Sequence, residues 1–396
     1  MKQTTVIITA PKRERRIFPG RPNGQAEVLF EPIAERAAAL CWEAGISRVA
    51  LLAEEDLELP GAEKLSAGAL SNWLRALPGE VFILPTELAL IRPETVRRSL
   101  ELYRQEKKAC VWIGESPGLA CWADPAQLAA GLDTGSPAEL EQAAQRIEGG
   151  VSMAPVHPGE LSWIDSPSAL LFANETAKGF EIARLLEKGV FFLGLDGVFI
   201  SRDAEIEAGT TILPGTILKK GVRIGANCVI GPNTLLEQTE VGNSSRINAS
   251  QSYQSWIGNG VSIGPFCHIR PNSRILDGVH IGDFVEVKNS VVGEETHISH
   301  LTYVGDSDVG KGVNFGCGCV TVNYNGQEKN RCRIGDHAFI GCNTNLVAPV
   351  TIGDYGYTAA GSTITDDLPE GSMGIARARQ VNKPGWNKGG RRLKKK

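Results

Sequence analysis

The chain has 396 residues, 42% of them hydrophobic and 22% charged, with a formal net charge of −4. That length leaves room for two domains with cores of their own, and the near-neutral charge gives no whole-protein field for nucleic acid. No apolar run approaches the ~20 residues of a membrane span, and nine cysteines without regular CxxC pairs read as reduced, buried thiols of a cytoplasmic protein.

The start, Met1 to Thr5 followed by Val6-Ile7-Ile8, is too short and polar for a signal peptide and predicts an opening strand. Val49–Ala53 and Val81–Leu84 are further short, β-branched, apolar runs. Between them, 32–44 and 93–107 carry helical spacing, with Pro93 suited to a first turn and Gly45 to a stop. Alternation of strand and helix predicts an α/β domain with a mainly parallel sheet over residues 1–165. Residues 166–195 read as a linker built on an amphipathic helix that Gly189 ends.

From Ile200 the period changes. Aliphatic residues recur every six positions at Ile200, Ile206, Ile212, Leu218, Ile224, Ile230 and Leu236. After a slip they resume at Ile257, Ile263, Ile269, Ile275, Ile281 and Val287, then at Val292, Ile298 and Val304, and again at Ile334, Ile340, Leu346 and Ile352. Six fits neither a helix nor a long strand and predicts a parallel β-helix of hexapeptide repeats over 196–376. Each unit is a short strand and a corner, and stacking buries the aliphatic column that no unit can bury alone. Glycine follows many rungs, as at Gly225, Gly231, Gly258, Gly264, Gly282, Gly335, Gly341 and Gly353, where it is expected to supply positive φ at the corner. The ladder breaks between Phe315 and Ile334, where Asn325-Gly326 marks a turn; a loop leaving a rigid solenoid is a natural carrier of chemistry. Residues 377–396 form a basic tail, read either as solvated chain or as an arm near a bound phosphate.

Within the repeats, His268-Ile-Arg-Pro271, Phe284-Val-Glu-Val-Lys288, His300-Leu-Thr-Tyr303, Asn314-Phe-Gly316 and Asn323-Tyr-Asn-Gly326 follow one another, with Leu346–Val350, Ala359–Gly361, Ile375–Arg377 and Pro384–Trp386 beyond. In order and spacing this resembles the acetyltransferase domain of the bifunctional N-acetylglucosamine-1-phosphate uridylyltransferase/glucosamine-1-phosphate N-acetyltransferase family. The resemblance implies a left-handed β-helix, acetyl-CoA as co-substrate, an amino sugar phosphate as acceptor, no metal for acetyl transfer, and a homotrimer with sites between subunits. It makes His300 the catalytic base, Arg270, Lys288, Tyr303, Asn314 and Lys329 the sugar-phosphate contacts, and Cys317, Asn323, Tyr324, Cys342, Ala360 and Arg377 the cofactor contacts. The family generally has alanine at the place of Cys317 and serine at that of Cys342. The residue types suit the chemistry: imidazole titrates where an amine must lose a proton, guanidinium grips a phosphomonoester bidentately, and ammonium groups add charge.

The same resemblance makes the first domain a truncated, Rossmann-like nucleotidyltransferase, degenerate at its site. The family's first strand runs into a glycine-rich phosphate loop; here the place reads Ile7-Ile-Thr-Ala-Pro-Lys-Arg-Glu-Arg15, without those glycines and with Pro11 removing a donor. Glu27 stands where a lysine is expected, and Ile83–Ala89 holds no aspartate for a metal. The expectation is therefore that uridylyl transfer is lost, with magnesium needed only for a residual activity, a separate uridylyltransferase serving the pathway, and the domain kept to cap the solenoid. Alternative readings are a sugar-phosphate nucleotidyltransferase, a non-catalytic sugar or nucleotide binder, and a zinc hydrase using histidines such as His268, His280, His297, His300 and His337.

Overall fold

The computed structural model describes residues 3–13, 16–115, 118, 120–386. Glu14, Arg15 and the last ten residues of the basic tail lie outside them. Two compact units emerge, one of Met1–Glu187 with Phe199–Asp203 and one of Lys188–Val198 with Ala204–Lys396. Among the described residues no helix is long and apolar enough to cross a membrane.

The first unit is the expected α/β domain. The strands of its seven-stranded sheet are β1 (Thr4–Ala10), β2 (Arg48–Ala53), β3 (Glu63–Leu65), β4 (Glu80–Pro85), β5 (Cys110–Ile113), β6 (Cys121–Ala123) and β7 (Val151–Met153). They pair in the order β3-β2-β1-β4-β6-β5-β7. All neighbours are parallel except β6, which runs against β4 and β5. The apolar runs are continuous rather than alternating because both faces are covered. Val6, Ile8, Val49 and Leu51 enter one core with helix α1 (Ile33–Glu43), while Ile7, Ala50, Leu52 and Val81 enter another with Leu70 and Leu74 of α2 (Ala67–Ala76). The helix expected as a linker, Pro167–Glu187, contributes Ala173 and Ala177 to the first of these cores.

The second unit is the parallel β-helix of hexapeptide repeats, in the left-handed class. Every coil contributes one short strand to each of three parallel sheets. Face one contains His280–Asp283, His297–His300, Asn314–Phe315 and Phe339–Ile340; face two contains His268–Ile269, Glu286–Lys288, Tyr303–Gly305 and Val320–Val322; face three contains Val291–Val292, Ser307–Val309 and Cys332–Ile334. The aliphatic rungs point inward and are buried. The slip after Leu236 is a run of shortened coils: Val241, Ile247, Ser252 and Ile257 take the inward places in turn. The ladder hid there because Ser252 replaces an aliphatic residue, its hydroxyl accepting from Thr239 at 3.2 Å.

The glycine expectation needs correction. Of the eight glycines that follow rungs, Gly231 and Gly264 have positive φ and the other six do not. Those six are required by crowding from the next coil: a Cβ at Gly282 would lie 2.0 Å from the Ser299 carbonyl oxygen, and one at Gly341 2.3 Å from that of Thr358. The left-handed corner lies two residues further on, at Asn227, Phe284, His337 and Asn343 among others.

Candidate active site

The stacking of coils sets the first group. Asp283 pairs with His300 between faces one and two. The registers Ile298↔Phe315, Phe315↔Ile340 and Ile340↔Thr358, followed two residues onward, set His300, Cys317, Cys342 and Ala360 one above another. Backbone bonds hold the column: Gly318 N–H donates to His300 O at 3.4 Å, Asn343 N–H to Cys317 O at 2.8 Å, and Gly361 N–H to Cys342 O at 2.8 Å. Arg377 reaches the top of it, its Cδ 3.8 Å from where a Cβ on Gly361 would stand.

His300 is oriented by a partner that the sequence reading missed. Its Nδ1 lies 2.6 Å from Asp283 Oδ1, and this hydrogen bond holds the Asp283 carboxyl below the usual carboxylate range. An ionised carboxylate only accepts, so Nδ1 carries the proton and the neutral ring keeps its free lone pair on Nε2. The imidazole is 59% exposed, open to a substrate.

A second group forms between faces two and three. Arg270 and Lys288 follow the paired residues Ile269 and Val287 on neighbouring coils. Arg270 Nη1 donates to Glu286 Oε1 at 2.7 Å. Lys288 meets Lys329, whose ammonium, together with desolvation, pushes the Lys288 pKa down, while Asp306 opposes the shift. Asp306 is buried beneath them. Burial raises its carboxyl, but hydrogen bonds from Asn289 and Asn323, and then the two lysines, outweigh this and hold it low. Asn289 Nδ2 donates to it at 2.5 Å, Asn323 Nδ2 donates to its other oxygen, and Asn323 Nδ2 also lies 3.4 Å from the Tyr303 hydroxyl. The excursion 323–331 is closed by a bridge between Tyr324 and Lys329 and tied down by Arg331, which donates to Asn289 O at 3.0 Å and pairs with Asp308.

The predicted residues thus divide. Arg270, Lys288, Tyr303, Lys329 and Asn323 gather at the basic corner, so Asn323 sits with the sugar-phosphate set rather than with the other cofactor contacts. Asn314 belongs to face one, paired with His297 and Phe339. Tyr324 is exposed, its hydroxyl donating to Gly326 O at 2.8 Å. From His300 to Gly305, across face two, is at most about 17 Å at strand rise. Among the described residues no group of three or more His, Cys, Asp or Glu side chains could hold a metal ion; the His280 and His297 rings are 5.9 Å apart.

In the first unit, the loop after β1 is filled by its own side chain. Arg13 Nε donates to Glu87 Oε1 at 3.0 Å and its Nη2 to Glu141 Oε2 at 2.9 Å; the two carboxylates are 1% and 5% exposed. Thr9 Oγ1 donates to Glu141 at 2.6 Å, and Arg13 lies over Trp163 at 5.1 Å. Glu87 comes from the very segment in which an aspartate was sought.

Comparison with known proteins agrees with the repeats. The bacterial transferase hexapeptide (six repeats) family matches residues 203–238, 254–289 and 331–366. The bifunctional protein GlmU of Clostridium acetobutylicum (strain ATCC 824) is 49% identical over 201 residues, 51% of this chain and 44% of that protein. That of Halalkalibacterium halodurans is 48% identical over 227 residues, 57% and 50%. That of Caldanaerobacter subterraneus subsp. tengcongensis is 52% identical over 201 residues, 51% and 44%. Among solved structures, the Arabidopsis UDP-N-acetylglucosamine acyltransferase gives a TM-score of 0.40 at 17% identity, covering 49% of this chain and 76% of its own. A nucleotidyl transferase from Methanothermobacter gives 0.34 at 13%, covering 44% and 97%. The chain spans about half the length of the curated relatives it matches, and it is to this half that its sequence is similar.

Proposed function

We propose that this transferase-family chain moves the acetyl group of acetyl-CoA onto the 2-amino group of glucosamine-1-phosphate. The observation that carries this reading is the Asp283–His300 pair at the foot of a column that continues through Cys317, Cys342 and Ala360. His300 Nε2 takes a proton from the amine, which attacks the thioester carbonyl. The tetrahedral intermediate collapses with release of CoA, whose sulfur takes up a proton; the reaction needs no metal. Backbone N–H groups on a rigid coil suit the developing oxyanion. The Lys288–Lys329 pair, two cations pressed together, is a site whose cost a phosphate would relieve.

A homotrimer fits this reading, because Asn314 and the basic corner lie on different faces of one chain; a site using both would draw on a neighbour. Loss of uridylyl transfer also belongs to it. With Arg13 holding the buried carboxylates of Glu87 and Glu141, those two groups are not free to take magnesium, and a separate uridylyltransferase would complete the pathway. Thiol release from acetyl-CoA with glucosamine-1-phosphate, and pyrophosphate release from UTP with N-acetylglucosamine-1-phosphate and magnesium, test the two halves independently. Absence of the first or steady turnover in the second overturns the corresponding half.

A further inference from the structure

Cys317 and Cys342 stand side by side in the His300 column, where the resembled family carries alanine and serine. Successive strands of a sheet lie about 4.8 Å apart, inside the Cα separation that a disulfide accepts. Both cysteines fall beyond the last strand residues, Phe315 and Ile340, so the pleat that keeps paired side chains parallel has ended. Glycines flank Cys317 on both sides, and Gly318 is at φ +77°. The Cys342 sulfur leans toward this segment: a Cβ on Gly316 would lie 2.9 Å from it. Both thiols are free; Cys342 is exposed and Cys317 partly so. Their neighbour Cys319 is buried, its sulfur donating to Gly341 O at 3.1 Å, and burial pushes its thiol up to about 11, which keeps it from competing as a nucleophile.

We propose that Cys317 and Cys342 are a thiol pair that closes to an intrachain disulfide by exchange with a small-molecule disulfide, and so shuts the cofactor side of the His300 column. The Cys342 thiolate attacks one sulfur of the small disulfide, forming a mixed disulfide and releasing one thiol. The Cys317 thiolate then attacks Cys342 Sγ, forming the protein disulfide and releasing the second thiol. Two protein thiols are oxidised and one small disulfide is reduced to two thiols. The chemistry stands on the placement of the pair; its consequence for acetyl transfer rests on the proposed function.

The test is to incubate the full chain with oxidised glutathione, then measure intact mass and map peptides under denaturing conditions. The expected wild-type product has lost two hydrogen atoms and links the Cys317 and Cys342 peptides, while Cys228, Cys267 and Cys332 stay reduced. Cys317→Ser is expected to stop at a glutathione adduct on Cys342. A wild-type chain that keeps that adduct, links through Cys319, or stays reduced in fully oxidised glutathione overturns the proposal. Acetyl transfer, read as N-acetylated product by mass spectrometry, is expected to be lost on closure and to return with dithiothreitol. If the link forms and turnover is untouched, the acetyl-CoA reading fails and the thiol pair stands.

Discussion

Each unit of this chain gathers charge at a corner of parallel strands, and the two dispose of it differently. In the first, Arg13 is consumed: two carboxylates almost without solvent contact hold its guanidinium. In the second, Lys288 and Lys329 face each other with one buried carboxylate, Asp306, close to both, and the Lys288 pKa is depressed. Positive charge already neutralised inside the fold has little left to offer a phosphate, whereas a crowded pair of ammonium groups gains from one. A count of basic residues along the sequence does not separate these cases; the partners do.

The sharpest way to break this contrast is at His300. His300→Ala is expected to slow acetyl transfer by about 10²–10⁴-fold, the range for loss of a general base, with the fold unchanged by circular dichroism. An unchanged rate would remove the repeat unit's claim to the chemistry. Next comes Arg13→Ala, which leaves Glu87 and Glu141 buried without their cation. Removing one member of a fully buried pair costs about 3–5 kcal/mol; with Arg13 23% exposed, we expect about 2–4 kcal/mol at pH 7, read by denaturant unfolding. The sign with pH follows from Glu141, whose carboxyl burial already raises despite Arg13 and Thr9. A raised carboxyl costs stability above its folded pKa and ceases to as pH falls below its unfolded one, so the deficit of the variant is expected to shrink on acidification. A deficit that grows would mean that Arg13 is not what makes these carboxylates tolerable.

How much of this the chain disclosed on paper depended on the kind of pattern. The rungs were legible because a narrow core admits one side chain per face, so the period survives in the letters. Ser252 was not, because its hydroxyl is satisfied inside the coil by Thr239. The role of the glycines after rungs was misread because crowding by the next coil leaves no trace in local sequence. His300, Arg270, Lys288 and Tyr303 came from motif resemblance. Asp283, Asn289 and Asp306 did not, although the rungs held the information: Ile281 pairs with Ile298, a coil of seventeen, and seventeen also separates Asp283 from His300, Asn289 from Asp306 and Asp306 from Asn323. Arg13 was illegible, since its partners lie 74 and 128 positions away.

Asp283 gives the next smaller effect. Asp283→Asn removes the fixed acceptor for Nδ1–H, and the amide can present either oxygen or nitrogen to the ring, so the tautomer with a free Nε2 is no longer imposed. A fall of about ten- to hundredfold is expected, as for other partners that orient a histidine, in kcat rather than KM because the carboxylate acts through His300. An equal loss in Asp283→Asn and in a variant at exposed Glu295 would reduce the pair to a surface contact.

The smallest effect tests the coil itself. If glycine after a rung served positive φ, asparagine, which occupies the left-handed corner at Asn227, Asn233, Asn272 and Asn343, should replace Gly282 with little cost. The crowding reading predicts the reverse. Any Cβ at Gly282 meets the Ser299 backbone, which cannot rotate away, so Gly282→Ala and Gly282→Asn should both destabilise the repeat unit by about 1–3 kcal/mol. Gly260, at φ +64° with nothing within 4 Å of its would-be Cβ, is the control, and Gly260→Asn should stay within about 0.5 kcal/mol of wild type. Thermal unfolding of the three variants separates the readings: a tolerated Gly282→Asn would restore backbone conformation as the reason for glycine, and with it loosen the claim that contact between coils dictates the sequence of each one.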